Sequence, residues 1–382
     1  MTLSRERILL FIFPLLMFTD LTSGLLGSNA ILNIGRGLRL GLLLLFVVDF
    51  VRYWPVIRHY FLVSWAITYL FILFAYAWTD RDVQEAMWQF SKTVFWVLGA
   101  ACLFAYQKIG LVSIESYFRL IRRVVLIAFG FTILYQLSGR IEDDYNVAAY
   151  TVTFTVPILF YMSNGFSRHT AYILLAFLAV LLTFKRGAML ALAMATISYF
   201  ILYARTNFSF SKAIKLATLV MLCLAVTASA FLVSEKNDMA DRFSSSQFDL
   251  QNEAAGSGRV GLYGRLYRDW AEADAITQLV GHGNQEDSRR VSWRRTHAHS
   301  DVFGYLYNYG VVGVSLIASL YLFILYRILY LQSRCRHQAA VAVSAFIILV
   351  GVNFYSGMFR ATDAIFLVSA FSLISSSPRE IR

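Results

Sequence analysis

Long apolar runs that keep returning along the chain constrain its fold more than any other feature. LRLGLLLLFVVDFV, AYILLAFLAVLLTF and AIKLATLVMLCLAVTASAFLV are typical. Each is long enough, or nearly so, to cross about 30 Å of hydrocarbon. Inside a bilayer every backbone polar group must find a partner within the protein, which helices provide. Charged residues make up only 15% of the 382 residues, against roughly 25% in a soluble domain. The chain therefore reads as an all-α polytopic membrane protein.

Spans are expected near 7–27, 31–51, 60–78, 83–107, 117–137, 146–163, 171–184, 187–204, 213–233, 301–331, 338–358 and 361–375, about twelve transmembrane helices in all. Three parts follow: 1–233 with nine spans, a long polar loop at 234–300 with short helices, and 301–382 with the last three spans. Pro157 is the clear mid-span proline. A cleavable signal peptide ending near Ala30 is the alternative for the start, but a second apolar run follows at once.

Charge sets the orientation. Seventeen cations, among them Arg5, Arg7, Arg52, Arg58, Lys108, Arg119, Arg122 and Arg123, fall on one side, against seven in the opposite short loops, at Arg36, Arg39, Arg81, Arg140, Lys185, Arg186 and Arg360. The positive-inside rule then puts both termini in the cytoplasm and the loop 234–300 outside. The formal charge of +11 is topological in this setting and calls for no nucleic-acid partner. Cys102, Cys223 and Cys335 lie in or beside apolar spans, so neither a disulfide framework nor a CxxC pair is indicated.

Chemistry-bearing residues gather between Ser257 and Gly313, with one outlying group at Lys185-Arg186-Gly187. That pair of cations sits between two spans with almost no loop. It is either a snorkelling anchor or an anion site at a helix N-terminus. Arg259, Arg265 and Arg268 precede Trp270; they read as a solvated helix face or as guanidinium groups clamping a diphosphate. Arg289, Arg290, Arg294 and Arg295 form a basic run suited to an anionic acceptor. His297-Ala-His299-Ser-Asp301 invites a metal reading, but Val302 stands where the next zinc-hydrolase histidine would come. A histidine titrating near neutrality serves better as acid, base or positioning group. Mid-span charge is scarce, Lys92 being the main case. That weighs against an ion-coupled transporter, though a flippase for a lipid-linked solute, or a non-catalytic scaffold of an envelope complex, remains an alternative.

In order, Lys185-Arg186-Gly187, Gly258-Arg259 with Trp270, Gly281-His282-Gly283, His297-Ala-His299-Ser-Asp301 and Gly310-Val-Val-Gly313 resemble the O-antigen ligase and O-antigen polymerase family of bacterial envelope glycosyltransferases. Ser300-Asp301 departs from the Asn usual in that family. The resemblance implies a GT-C-like membrane fold in the inner membrane, working on its periplasmic face without cofactor or metal. It implies a glycan donor on undecaprenyl diphosphate and an acceptor that is either another glycan or lipid A core, with room for a chain-length regulator. By the resemblance, His299 activates the acceptor hydroxyl, while Arg186 and Arg259 hold the diphosphate. Lys185, Arg265, Arg268, His297 and Asp301 are further substrate-binding candidates. A third branch of the family glycosylates protein hydroxyls, and the modest loop speaks against it; the basic run would suit a ligase or equally an acidic polysaccharide, and the polymerase is the preferred reading.

Overall fold

The computed structural model describes residues 5–26, 29–138, 145–163, 170–183, 185–207, 255–291, 300–357 and 364–376. Among these, every regular element is helical and no strand occurs. The helices are α1 (Arg5–Leu26), α2 (Asn29–Arg52), α3 (Trp54–Ile57), α4 (Val63–Trp78), α5 (Val83–Lys108), α6 (Ile114–Ser138) and α7 (Tyr145–Ser163). They continue as α8 (Thr170–Leu182), α9 (Arg186–Asn207), α10 (Ala255–Ala271), α11 (Ala275–Val280), a π-helical turn at Asp287–Val291, α12 (Asp301–Arg334), α13 (Arg336–Tyr355) and α14 (Ala364–Ser376). The expected span near 213–233 lies outside the described residues. Each of the others coincides with a helix to within a few residues. By length and composition alone, Asn29–Arg52, Asp301–Arg334 and Arg336–Phe354 are able to cross a membrane, and Val63–Trp78 and Ala364–Ser376 are among the shorter apolar helices. The chain is an all-α polytopic membrane protein.

Side-chain size decides which helices lie inside. The α5 stretch Gly99-Ala100-Ala101-Cys102 is fully buried. A Cβ on Gly99 would stand 2.5 Å from Ile365 Cδ1, so glycine is what lets α14 approach. The Ser372 hydroxyl donates to the Ala100 carbonyl at 2.8 Å. Almost every described side chain of α14 is buried, as expected of a helix that is apolar all round. By contrast, α2 turns Leu44, Val47, Val48 and Val51 outward, where lipid takes the place of protein.

Helix α9 packs most extensively on α13. A Cβ on Gly351 would sit 3.3 Å from Ala191 Cβ, the close approach that small residues allow between membrane helices. Tyr199 meets the His337 ring further along. Position 191 thus faces 351 and 199 faces 337, so the two helices are antiparallel. The start of α9 and the end of α13 therefore lie at the same end of the bundle.

Two prolines lie inside described helices: Pro157 in α7, as expected, and also Pro14 in α1. Lys92, expected as a mid-span charge, is a partly buried residue of α5; its ammonium donates to Gln89 Oε1 at 3.0 Å and lies 5.7 Å from the Trp88 ring.

Candidate functional site

The polar loop is joined to the membrane helices at a break in α12. Gly310 adopts φ 60, ψ −150 inside that helix. An α-helix satisfies each carbonyl with the amide four residues on. The break leaves the carbonyls of Tyr307 and Asn308 to be met from elsewhere. The amides of His282 and Gly283 meet them, donating to the Tyr307 carbonyl at 2.9 Å and the Asn308 carbonyl at 3.0 Å. Both sides of the joint need glycine. A Cβ on Gly281 (φ 81) would lie 2.3 Å from the Asn308 carbonyl, and one on Gly310 would lie 2.5 Å from the carbonyl oxygens of Gln278 and Leu279. Gly281-His282-Gly283 and Gly310-Val-Val-Gly313, two separate motifs in the sequence, are the two halves of one joint.

Three consecutive side chains of α12 reinforce it. The Tyr307 hydroxyl donates to Asp269 Oδ2 at 2.5 Å, and its ring stacks on His282 at 4.3 Å. Asn308 exchanges two 2.8 Å hydrogen bonds with Asp287. The Tyr309 hydroxyl donates to Asn284 Oδ1 at 2.6 Å. Trp270 closes the turn between α10 and α11, its indole donating to the Gln278 carbonyl at 3.0 Å. Asp274 caps α11; the hydrogen bond from the Thr277 hydroxyl and those from backbone amides hold its carboxyl below the usual range.

Arg289 is held by protein carboxylates. Its guanidinium lies 2.9 Å from Asp80 Oδ1 and 3.4 Å from Glu286 Oε1, and Arg81 reaches the same Glu286 oxygen at 2.6 Å. The bond to Asp80 raises the Arg289 pKa above its ordinary value. The sequence reading offered Arg289 to an acceptor; its observed partners are the α4–α5 turn and its own loop. The partner from Asp80 lies 209 positions away, a pairing no local pattern announces.

At the same end of the bundle a second polar group forms around the end of α13. Arg259 sits on α10 one turn before Tyr263 and is partly buried. The Tyr263 ring stacks on Phe303 at 4.6 Å, and its hydroxyl donates to the Phe354 carbonyl at 3.3 Å. This anchors the α10 face that carries Arg259. Arg259 and Ser356 both lie close enough to Tyr150 of α7 to act on its hydroxyl. Asp301, 3% exposed, begins α12, where an acidic side chain complements the helix dipole. Ser300 caps that helix, accepting from the Phe303 amide and donating to the Asn353 carbonyl oxygen at 3.1 Å. Asn353 is fully buried; its side chain donates to the Tyr321 hydroxyl, while Oδ1 has no hydrogen-bond partner among the described residues.

The expected site residues divide as follows. Arg259 and Asp301 are brought to the end of α13. Lys185, partly buried, immediately precedes α9 and therefore lies at that end too. Arg186 opens α9, and Arg290 lies in the π-helical turn, but their side chains fall outside the description. Arg294, Arg295, His297 and His299 lie outside the described residues. Arg265 and Arg268 are exposed, and Arg268 Nε turns back to the Gly264 carbonyl of its own helix at 3.4 Å. Tyr150, Asn353 and Ser356 escaped the sequence reading because ordinary span residues carry no local signal of convergence. No cluster of three or more His, Cys, Asp or Glu able to hold a metal occurs among the described residues.

No curated protein matches the chain. Residues 171–318, from α8 into α12, match the family model described as O-Antigen ligase. The match takes in Lys185, Arg259, the glycine joint and Asp301, and it supports a function of the O-antigen ligase or polymerase type at family level. Over residues 171–318, the chain is similar to the O-antigen ligase family.

Proposed function

We propose that this chain transfers a glycan from undecaprenyl diphosphate to a sugar hydroxyl on the outer face of a bacterial inner membrane, as a polymerase of lipid-linked repeat units. The observation that carries this reading is that Arg259 and the buried Asp301 both lie near the end of α13, at the end of the bundle where Lys185-Arg186 starts α9, inside the segment matched to the ligase family. Cations at that level suit a diphosphate. Guanidinium groups give bidentate hydrogen bonds to phosphate oxygens and stabilise charge as it builds on a leaving group.

In this reading the acceptor oxygen attacks the anomeric carbon. The bond from that carbon to the phosphate oxygen breaks with inversion, and undecaprenyl diphosphate leaves between Arg186 and Arg259. His299 takes the hydroxyl proton as the new bond forms. Asn353 Oδ1 offers an acceptor for a substrate hydroxyl, and Asp301 holds the start of α12 directly after the histidine pair. Charge balance at the diphosphate comes from the arginines, so no step calls for a metal.

The second reading is a ligase acting on lipid A core, favoured by the description of the matching family. The ion pairs of Arg289 with Asp80 and Glu286 reduce the cationic run available to such an anionic acceptor, which favours the polymerase. Reconstitution with an undecaprenyl-diphosphate-linked repeat separates them. Chain growth without lipid A is expected. Transfer that begins only when lipid A core is added establishes the ligase instead. No transfer to either acceptor refutes both.

A further inference from the structure

Between the loop and the α4–α5 pair lies a pocket distinct from the group around Arg259. It takes in about 400 Å³ with the open space at its mouth included, and between its lining atoms there is room for only a water or two. Gln89 and Thr93 of α5, Asn284 and Gln285 of the loop, and Tyr305 and Tyr309 of α12 line it, with apolar neighbours such as Phe90. None of the described lining side chains carries a formal charge.

Gln285 is the unusual member. Its φ of 58 makes it the one non-glycine residue in the left-handed region among the described residues. It is 8% exposed, and its side-chain amide nitrogen is buried with no hydrogen-bond partner among the described residues. A left-handed glutamine is strained, and a buried amide donor without a partner has lost its hydration with nothing in return. Two unfavourable features at one residue of a pocket wall are what a ligand-directed donor looks like. The surroundings say which ligand. Amides, hydroxyls and aromatic faces without charge suit a hydroxyl-rich, neutral ring and offer nothing to a phosphate.

We propose that this pocket is a subsite for a neutral sugar ring of the glycan. One hydroxyl occupies the inner end and accepts a hydrogen bond from the Gln285 amide, while the ring rests at the mouth against Tyr309. This rests on the glycan-transfer reading above and adds to it the region that holds sugar rather than diphosphate. It also assigns a role to α4 and α5, which lie outside the segment matched to the family.

The test uses the full chain in nanodiscs and saturation-transfer NMR with the methyl glycosides of glucose, galactose, mannose, rhamnose and N-acetylglucosamine. At least one glycoside is expected to receive saturation. Gln285→Gly should weaken its binding about fivefold, the worth of one neutral hydrogen bond. The same change should leave the melting midpoint unchanged or raise it, because glycine adopts positive φ without strain. Thr93→Val, which keeps the side-chain shape, should weaken binding in the same direction. The proposal is overturned if no glycoside binds the wild-type protein, or if Gln285→Gly binds as well as wild type. It is also overturned if sodium pyrophosphate, and no glycoside, responds to Gln285→Gly. Sugar binding that depends on Gln285 in a protein that transfers nothing from the lipid diphosphate would sink the transfer reading and leave the subsite standing.

Discussion

The two ends of the helix bundle both bury carboxylates against arginine, and they do it differently. At the end carrying the start of α1, Arg5 Nε lies 2.7 Å from Asp49 Oδ2, and the Tyr106 hydroxyl donates to that same oxygen at 2.5 Å. Asp49 is fully buried. Glu6 accepts from the Ser116 hydroxyl nearby, and Ser376 donates to Gln107 at 2.9 Å. Every group in that lock belongs to a helix. At the opposite end Asp80 and Glu286 are joined through Arg289, and two of those three residues come from the loop. One end is closed by helices upon helices. The other is closed by a loop stitched into a broken helix. The second arrangement leaves polar backbone and side chains at the end that holds Arg259 and Asp301, where the proposed transfer would take place.

The comparison breaks most readily at the joint. Gly310→Ala should cost about 3 kcal/mol or more, since it combines positive φ with a carbonyl 2.5 Å from the new Cβ. Its melting midpoint in detergent should fall far below that of Gly130→Ala, a change that meets nothing within 4 Å. Equal midpoints would show that the joint does not hold the loop.

Next in size are the two locks. Arg289→Ala leaves the buried Asp80 carboxylate without its cation, while Glu286 keeps Arg81, and Asp49→Ala strands Arg5; removing one member of a buried pair costs about 3–5 kcal/mol. The Arg289 figure belongs near the lower bound, because that side chain is 27% exposed. Limited proteolysis should separate the two: Arg289→Ala exposes the loop to cleavage while the spans persist, whereas Asp49→Ala loosens α1. Transfer should fall with the first beyond the loss of folded protein, and only in proportion to that loss with the second.

Arg259→Ala and His299→Ala should abolish transfer with little change in midpoint, read by reconstitution beside thermal unfolding. Retained turnover in both would remove these residues from the chemistry. The smallest effect is at Asp274. Its carboxyl pKa is lowered in the folded protein, so its contribution to the cap is present above the unfolded value and is lost as pH falls through the folded one. Asp274→Asn keeps a capping side chain. It should therefore abolish this part of the acid sensitivity of the loop, followed by hydrogen exchange at Ile276 and Thr277.

Most of the fold was legible because a bilayer allows few solutions. Apolar runs of span length become helices, and the α1, α5 and α13 boundaries follow from composition. The joint was not legible as a joint. Gly281 and Gly310 were visible as motifs, but which carbonyl faces which amide is settled only when the chain closes on itself. Arg289 illustrates the same limit. A run of four arginines reads as a cationic surface until Asp80 is placed beside one of them. Spacing puts Gln89 and Trp88 one turn from Lys92, but only the folded chain shows the ammonium turned onto both of them. The histidine pair, the centre of the expected chemistry, lies outside the described residues.

The break at Gly310 also bears on assembly. A helix that enters hydrocarbon with unmet carbonyls pays heavily, since each costs several kcal/mol where water is absent. The segment that meets the carbonyls of Tyr307 and Asn308 is Gly281-His282-Gly283, about two dozen residues earlier in the chain. The ribosome therefore delivers the partner before the helix that needs it. Shifting this loop behind α12 by circular permutation would preserve every contact of the finished protein and remove that order of arrival, so its cost would appear in the yield of inserted protein rather than in the stability of what was made.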